Sequence, residues 1–136
     1  MFAINDEQEV KHKLRILLVE DVQIVQKVHS MMLKKLGHNF DLASNGADAL
    51  KLFNENFYDL VLMDIGLPDI SGITVVAEMR RDETKKKYIP IIALTADMTD
   101  VTRESCLAIG FNEVMTKPIP FKILKILLER FFPITD

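Results

Sequence analysis

The chain has 136 residues, 49% hydrophobic and 27% charged, with 17 Lys and Arg against 20 Asp and Glu for a formal net charge of −3. One domain of that length buries about two-thirds of the surface its unfolded chain exposes, so the core needs no disulfide or structural metal. The lone cysteine, Cys106, and the scattered His12, His29 and His38 exclude a disulfide-stapled scaffold and a zinc module, and the acidic balance lacks the footprint of a nucleic-acid binder.

Residues 1–13 carry Asp6, Glu7, Glu9 and Lys11 without the apolar core of a signal peptide, and they read as an N-terminal extension. Apolar runs of four or five residues are far short of the ~20 a membrane span needs. A cytoplasmic setting is the expectation. A strand is predicted over 15–19, then a helix over 22–36, with Val25, Val28, Met32 and Leu36 on one side and Gly37 as its stop. A second strand over 39–43 leads through the caps Ser44 and Asn45 into a helix over 46–56. The third strand, 59–63, precedes a helix over 71–81. The run Lys85 to Lys87 reads as the solvated end of a helix. The fourth pair is a strand over 89–94 and a helix over 99–109 stopped by Gly110. The fifth is a strand over 112–115 and a helix over 120–132 opened by Pro120, leaving 133–136 as a tail.

The first, third and fourth strands are almost wholly apolar, which suits interior strands of a parallel sheet covered on both faces. Strands alternating with helices form an open doubly wound α/β sheet through right-handed crossovers, and functional groups collect at the carboxyl ends of its strands. Standing there are Glu20 and Asp21, Asp64, Thr95 and Lys117. Each alone has an ordinary role as a helix-dipole partner, turn former, cap or surface lysine. Together they differ, because adjacent carboxylates repel unless something positive is held among them. An all-oxygen donor set at an open rim favours Mg2+. Asp64, ending the central strand, is placed to attack a phosphoryl group, with Lys117 neutralising its oxygens and Thr95 donating a hydrogen bond. Removing Glu20, Asp21, Asp64 and Lys117 from the count leaves 16 basic against 17 acidic residues, so two of the three excess negative charges belong to this pocket.

The pieces ILLVED (16–21), LVLMDIGLPDISG (60–72), IIALTA (91–96) and TKPI (116–119) resemble, in order and spacing, the receiver domain of two-component response regulators over about 14–132. The resemblance implies a flavodoxin-like (CheY-like) fold, a five-stranded parallel sheet in the order 2-1-3-4-5. It implies a phosphoacceptor, Asp64, modified by a histidine kinase or a histidine phosphotransfer domain, after which the domain switches conformation. Asp21, Asp64 and the backbone carbonyl of Gly66 would hold Mg2+ directly, and Glu20 through water. Lys117 would pair with Asp64 or its phosphate, the Lys117–Pro118 bond is a candidate cis peptide, and Pro68 and Gly72 match the loop after the third strand, where glycine supplies conformational freedom. Such a domain catalyses its own phosphorylation and dephosphorylation and is mainly a signalling module; the resemblance implies a bacterial source and a cytoplasmic domain, free or as the cytoplasmic part of a membrane-bound hybrid kinase.

Two positions depart from the family's pattern. Val114 stands where an aromatic residue commonly couples to the threonine, here Thr95, so a weaker or different switch is expected; Phe111, offset by three, is expected on the other face of the strand. Gly66 stands where a larger side chain is common, and either opens an approach to Asp64 or eases a tight turn. A degenerate receiver used only for docking is the alternative, though no site residue is missing. A haloacid dehalogenase-like phosphatase would need a second aspartate where Gly66 stands. A flavodoxin would need a Gly- or Ser-rich loop in place of the acidic Glu20-Asp21. LTA with TKPI and the stretch 110–113 look like receivers fused to hybrid sensor kinases; a stand-alone receiver and a piece of a longer protein both remain open. The apolar excess of the last helix, Phe121, Ile123, Leu124, Ile126, Leu127, Leu128, Phe131 and Phe132, suits either a docking surface or packing against the N-terminal extension.

Overall fold

A computed structural model describes residues 13–98 and 103–133. Five strands, β1 (Arg15–Val19), β2 (Asn39–Ala43), β3 (Leu60–Asp64), β4 (Ile91–Thr95) and β5 (Glu113–Thr116), alternate with the helices α1 (Gln23–Lys35), α2 (Gly46–Glu55), α3 (Gly72–Arg80), α4 (Arg103–Ile109) and α5 (Phe121–Phe131). All strand pairs are parallel and the order is β2-β1-β3-β4-β5. That is the expected doubly wound sheet, with the progression of strand order reversing between β1 and β3.

Period-two alternation splits the sheet's apolar residues between two cores. Leu17, Val19, Val61, Met63, Ile91 and Ala93 face α2, α3 and α4, packing with Phe53, Val76, Met79 and Cys106. Ile16, Leu18, Leu60, Leu62, Ile92 and Leu94 face α1 and α5, packing with Leu33, Leu124 and Leu127. Every residue of β3 and β4 is buried, which is why these runs are continuously apolar up to their polar last residues.

The limits of β1 and β2 coincide with expectation, and three other strands begin one or two residues late for identifiable reasons. The Asp59 carboxylate accepts the Arg15 N–H at 2.8 Å, closing the turn before β3. Pro90 has no N–H, so β4 begins at Ile91. Asn112 spends its side-chain oxygen on the Ile91 N–H at 2.7 Å, and β5 begins after it. The lysine run is not the end of a helix: Lys85–Tyr88 is a separate 3-10 turn. Its Lys86 ammonium donates to the carbonyls of Phe53 and Asn54 at 3.0 Å, complementing the C-terminal end of α2.

Asn45 caps α2 by accepting the Asp48 N–H, and Gly37 (φ 87°) and Gly110 (φ 135°) end α1 and α4 in backbone conformations that favour glycine. Residues 99–102 of the expected fourth helix, the extension 1–12 and the tail residues 134–136 lie outside the described residues. On α5, Leu124, Leu127 and Leu128 are buried and Phe131 and Phe132 pack against the same core, while Ile123 and Ile126 are exposed. Among the described residues no helix is long and apolar enough to cross a membrane.

Candidate functional site

The parallel register brings the ends of β1, β3, β4 and β5 to one edge. Glu20 and Asp21 follow β1 directly, with the Glu20 N–H still bonded to the Ala43 carbonyl at 3.0 Å. Asp64 closes β3 opposite Leu94, and Lys117 follows β5, its N–H donating to the Thr95 carbonyl at 2.9 Å. The Lys117–Pro118 bond is cis, as expected.

The Lys117 ammonium donates to Asp64 Oδ2 at 2.8 Å and to both Glu20 oxygens at 3.0 and 3.1 Å. The lysine thus bridges two carboxylates, where pairing with Asp64 or its phosphate was expected. Asp64 Oδ1 accepts the Gly66 N–H at 2.8 Å, and Glu20 Oε2 accepts the Val22 N–H at 3.1 Å. Glu20 and Asp64 are nearly inaccessible, and Asp21 is the least buried of the three.

Three carboxylates with one ammonium leave a local excess of negative charge. Burial pushes the Glu20 carboxyl above its ordinary range, against the opposing pull of Lys117. Burial and the adjacent Asp64 carboxylate push Asp21 up as well. For Asp64, burial acts upward, but the hydrogen bonds from Lys117 and the Gly66 N–H outweigh it and hold the carboxyl low. Lys117 is raised, since its bonds to Asp64 and Glu20 exceed the cost of its burial. One oxygen from each of Glu20, Asp21 and Asp64 lies within 4.8 Å of the others, and a hard divalent cation fits such an all-carboxylate cluster.

Thr95 closes β4 and Val114 lies within β5. The Thr95 hydroxyl is engaged with Asp97, donating to its carbonyl at 3.2 Å and accepting its N–H at 3.3 Å. Val114 is buried in the core on the α4 side, and so is Phe111. The expectation that Phe111 faces away is therefore corrected: it precedes β5, where strand alternation does not apply.

The role of Gly72 is also corrected. Its φ is not positive; a Cβ there would lie 2.5 Å from the Asp64 carbonyl oxygen and 2.6 Å from the Ile65 Cα. Close backbone approach requires the glycine. At Gly66 the surroundings are open, the nearest atom to an added Cβ being Asp64 Oδ1 at 3.6 Å.

Sequence reasoning passed over two residues, one in a loop at this edge and one at the opposite end of β5. Asp69, in the loop after β3, accepts the N–H groups of Gly46 and Ala47 at 2.8 and 3.0 Å, pinning the loop to the N-terminus of α2. Glu113 is buried at the start of β5, bound by Arg103 of α4 at 2.6 Å and Arg130 of α5 at 2.8 Å. No local pattern announces either pairing, since the partners are distant in the chain.

The family model for the response regulator receiver domain matches residues 16–129. The chain is 34% identical over 123 residues to the aerobic respiration control sensor protein ArcB of Escherichia coli, covering 90% of this chain and 16% of ArcB. It is 36% identical over 125 residues to hybrid signal transduction histidine kinase G of Dictyostelium discoideum, covering 90% of this chain and 4% of that protein. It therefore spans a small part of these relatives, which also do not assign it to bacteria. The receiver domain of the Pseudomonas aeruginosa sensor histidine kinase PA1611, solved with a magnesium ion in its active-site cleft, is 37% identical with a TM-score of 0.80 over 88% of this chain and 98% of that one. The Saccharomyces cerevisiae Ssk1 receiver, solved with the phosphotransfer protein Ypd1, is 28% identical with a TM-score of 0.77 over 88% of each chain.

Proposed function

The chain belongs to the response regulator receiver domain family, and from that premise we propose that Asp64 is its phosphoacceptor, modified by a phosphohistidine of a histidine kinase or a histidine phosphotransfer domain. The observation that carries this reading is the Asp64 carboxylate, held ionised at the end of the central strand by Lys117 at 2.8 Å and the Gly66 N–H at 2.8 Å. A carboxylate so held keeps a lone pair for attack on phosphorus. The P–N bond to the donor breaks with its electron pair left on that nitrogen, and the ring, already carrying a proton on its other nitrogen, departs as neutral imidazole.

Asp21, Asp64 and the Gly66 carbonyl would hold Mg2+, with Glu20 acting through water. When bound, the ion supplies charge neutralisation at the phosphoryl oxygens. Lys117, bonded to Glu20 and Asp64, would neutralise the same charge, and its grip on Glu20 keeps the ammonium at the site when Asp64 turns to the phosphoryl group. Thr95 would turn its hydroxyl from the Asp97 carbonyl toward the phosphate. With Val114 in place of a ring, the resulting shift in population reaches the α4 face through the packing of Val114 and Phe111. We place the functional unit at 14–132.

The test is intact mass after incubation with Mg2+ and acetyl phosphate. One phosphoryl group, base-labile and absent from Asp64→Asn, supports the proposal. No gain in the folded wild type, with donor and metal in excess, would favour the docking-module reading.

A further inference from the structure

His29 is fully buried in α1, two turns beyond the acidic pair. Its Nε2 accepts the backbone N–H of Ile119 at 3.1 Å, so the ring proton of the neutral imidazole sits on Nδ1. Among the described residues that Nδ1 has no hydrogen-bond partner. An unmet buried donor carries a net cost that leucine or valine at this position would avoid. Burial, and then the positive charge of Lys117, push the imidazole down to about 4, so at neutral pH Nε2 is an acceptor.

What that acceptor secures is the segment carrying Lys117. The Lys117 N–H is bonded to the Thr95 carbonyl, Pro118 has no N–H to offer, and the next donor is Ile119. The backbone around Lys117 is thus anchored to β4 on one side and to α1 through His29 on the other. The lysine then reaches three carboxylate oxygens at 2.8 to 3.1 Å.

We propose that His29 is a positioning residue for phosphoryl transfer: by accepting the Ile119 N–H it fixes the backbone from which Lys117 reaches Asp64. The inference rests on Asp64 being the phosphoacceptor. His29 itself touches neither the carboxylate cluster nor the phosphoryl group.

The test compares His29→Gln, whose amide oxygen reaches the Nε2 position, with His29→Asn, whose oxygen stops near Nδ1. Both bury an amide and differ in reach. Phosphorylation by acetyl phosphate is followed alongside Mg2+ affinity and hydrogen exchange at the Ile119 amide. The Gln variant is expected within about twofold of wild type, and the Asn variant roughly tenfold slower, because small misplacements of a reacting group cost rate steeply. The Asn variant should also show faster Ile119 exchange, and Mg2+ is kept saturating for each variant so that a change in its affinity does not enter the rate. Equal rates in the two folded variants would overturn the inference. A measurement on the wild type is independent of variant folding: the imidazole 15N spectrum is expected to show the proton on Nδ1, and a proton on Nε2 would overturn the proposal. If the wild type takes up no phosphoryl group, the Asp64 reading falls and this inference with it; wild-type rates in His29→Asn remove the inference alone.

Discussion

Glu113 offers the most quantitative test of how the α4, β5 and α5 elements are tied together. Its side chain is 6% exposed and accepts from Arg103 Nε at 2.6 Å and Arg130 Nη2 at 2.8 Å, with the Val114 N–H at 3.2 Å. The hydrogen bond from Arg103 foremost, with Arg130 assisting against the cost of burial, holds the carboxyl down from 4.5 to about 2. A depression of that size corresponds to at most about 3 kcal/mol of linked stability. Both arginines are more than half exposed, 58% and 55%, so solvent screening reduces the expected contribution to roughly 1–2 kcal/mol. The perturbation is Glu113→Gln, which keeps shape and one acceptor oxygen while removing the charge. Urea denaturation of wild type and variant is compared from pH 7 to pH 2. A folded-state depression stabilises above the unfolded value and is lost as pH falls through the folded one. The difference should therefore hold steady down to about pH 4.5 and shrink toward pH 2, and it should weaken in high salt. A difference of the same size at pH 2 and pH 7, or none at pH 7, would refute the ion-pair account.

Gly72→Ala places a Cβ 2.5 Å from the Asp64 carbonyl oxygen and should cost about 1–3 kcal/mol in thermal denaturation, with loss of phosphorylation because the loop behind Asp64 must shift; an unchanged melting temperature would count against the close-approach reading. Lys117→Met should slow phosphorylation by roughly 100-fold, by analogy with loss of a preorganised charge at a reacting centre, while raising the Asp64 pKa; wild-type kinetics by mass spectrometry would remove the lysine from the chemistry. Gly66→Asn narrows the open approach beside Asp64 Oδ1, and a several-fold change in phosphate lifetime is expected; an unchanged lifetime would leave Gly66 as a turn former. Val114→Tyr must fit a ring into a buried site, with a stability cost of about 1–3 kcal/mol and altered partner affinity on phosphorylation; if neither affinity nor kinetics moves, position 114 carries no signal.

The fold and the carboxylate cluster were legible because both depend on short-range order. An apolar run such as 16–19 or 60–63 is a strand because it must be covered on both faces, and the polar residue that ends it must lie at the sheet's edge. Once the strands are parallel, Glu20, Asp21, Asp64 and Lys117 meet there whatever the loops do. The role of Gly72 was misassigned because sequence suggests glycine's dihedral freedom more readily than the space denied to a Cβ.

Local pattern by itself determined which segments form the sheet, which residues stand at its functional edge and that their charges need a counterion. Tertiary structure alone decided the partners: Lys117 bridging Glu20 as well as Asp64, Asp69 holding the start of α2, Glu113 joined to two arginines, and His29 holding Ile119. These bonds join positions 10 to 97 residues apart. Hydrophobic periodicity reports only which face of an element is buried; the identity of a polar partner depends on how the elements dock, which strand and helix signals do not encode.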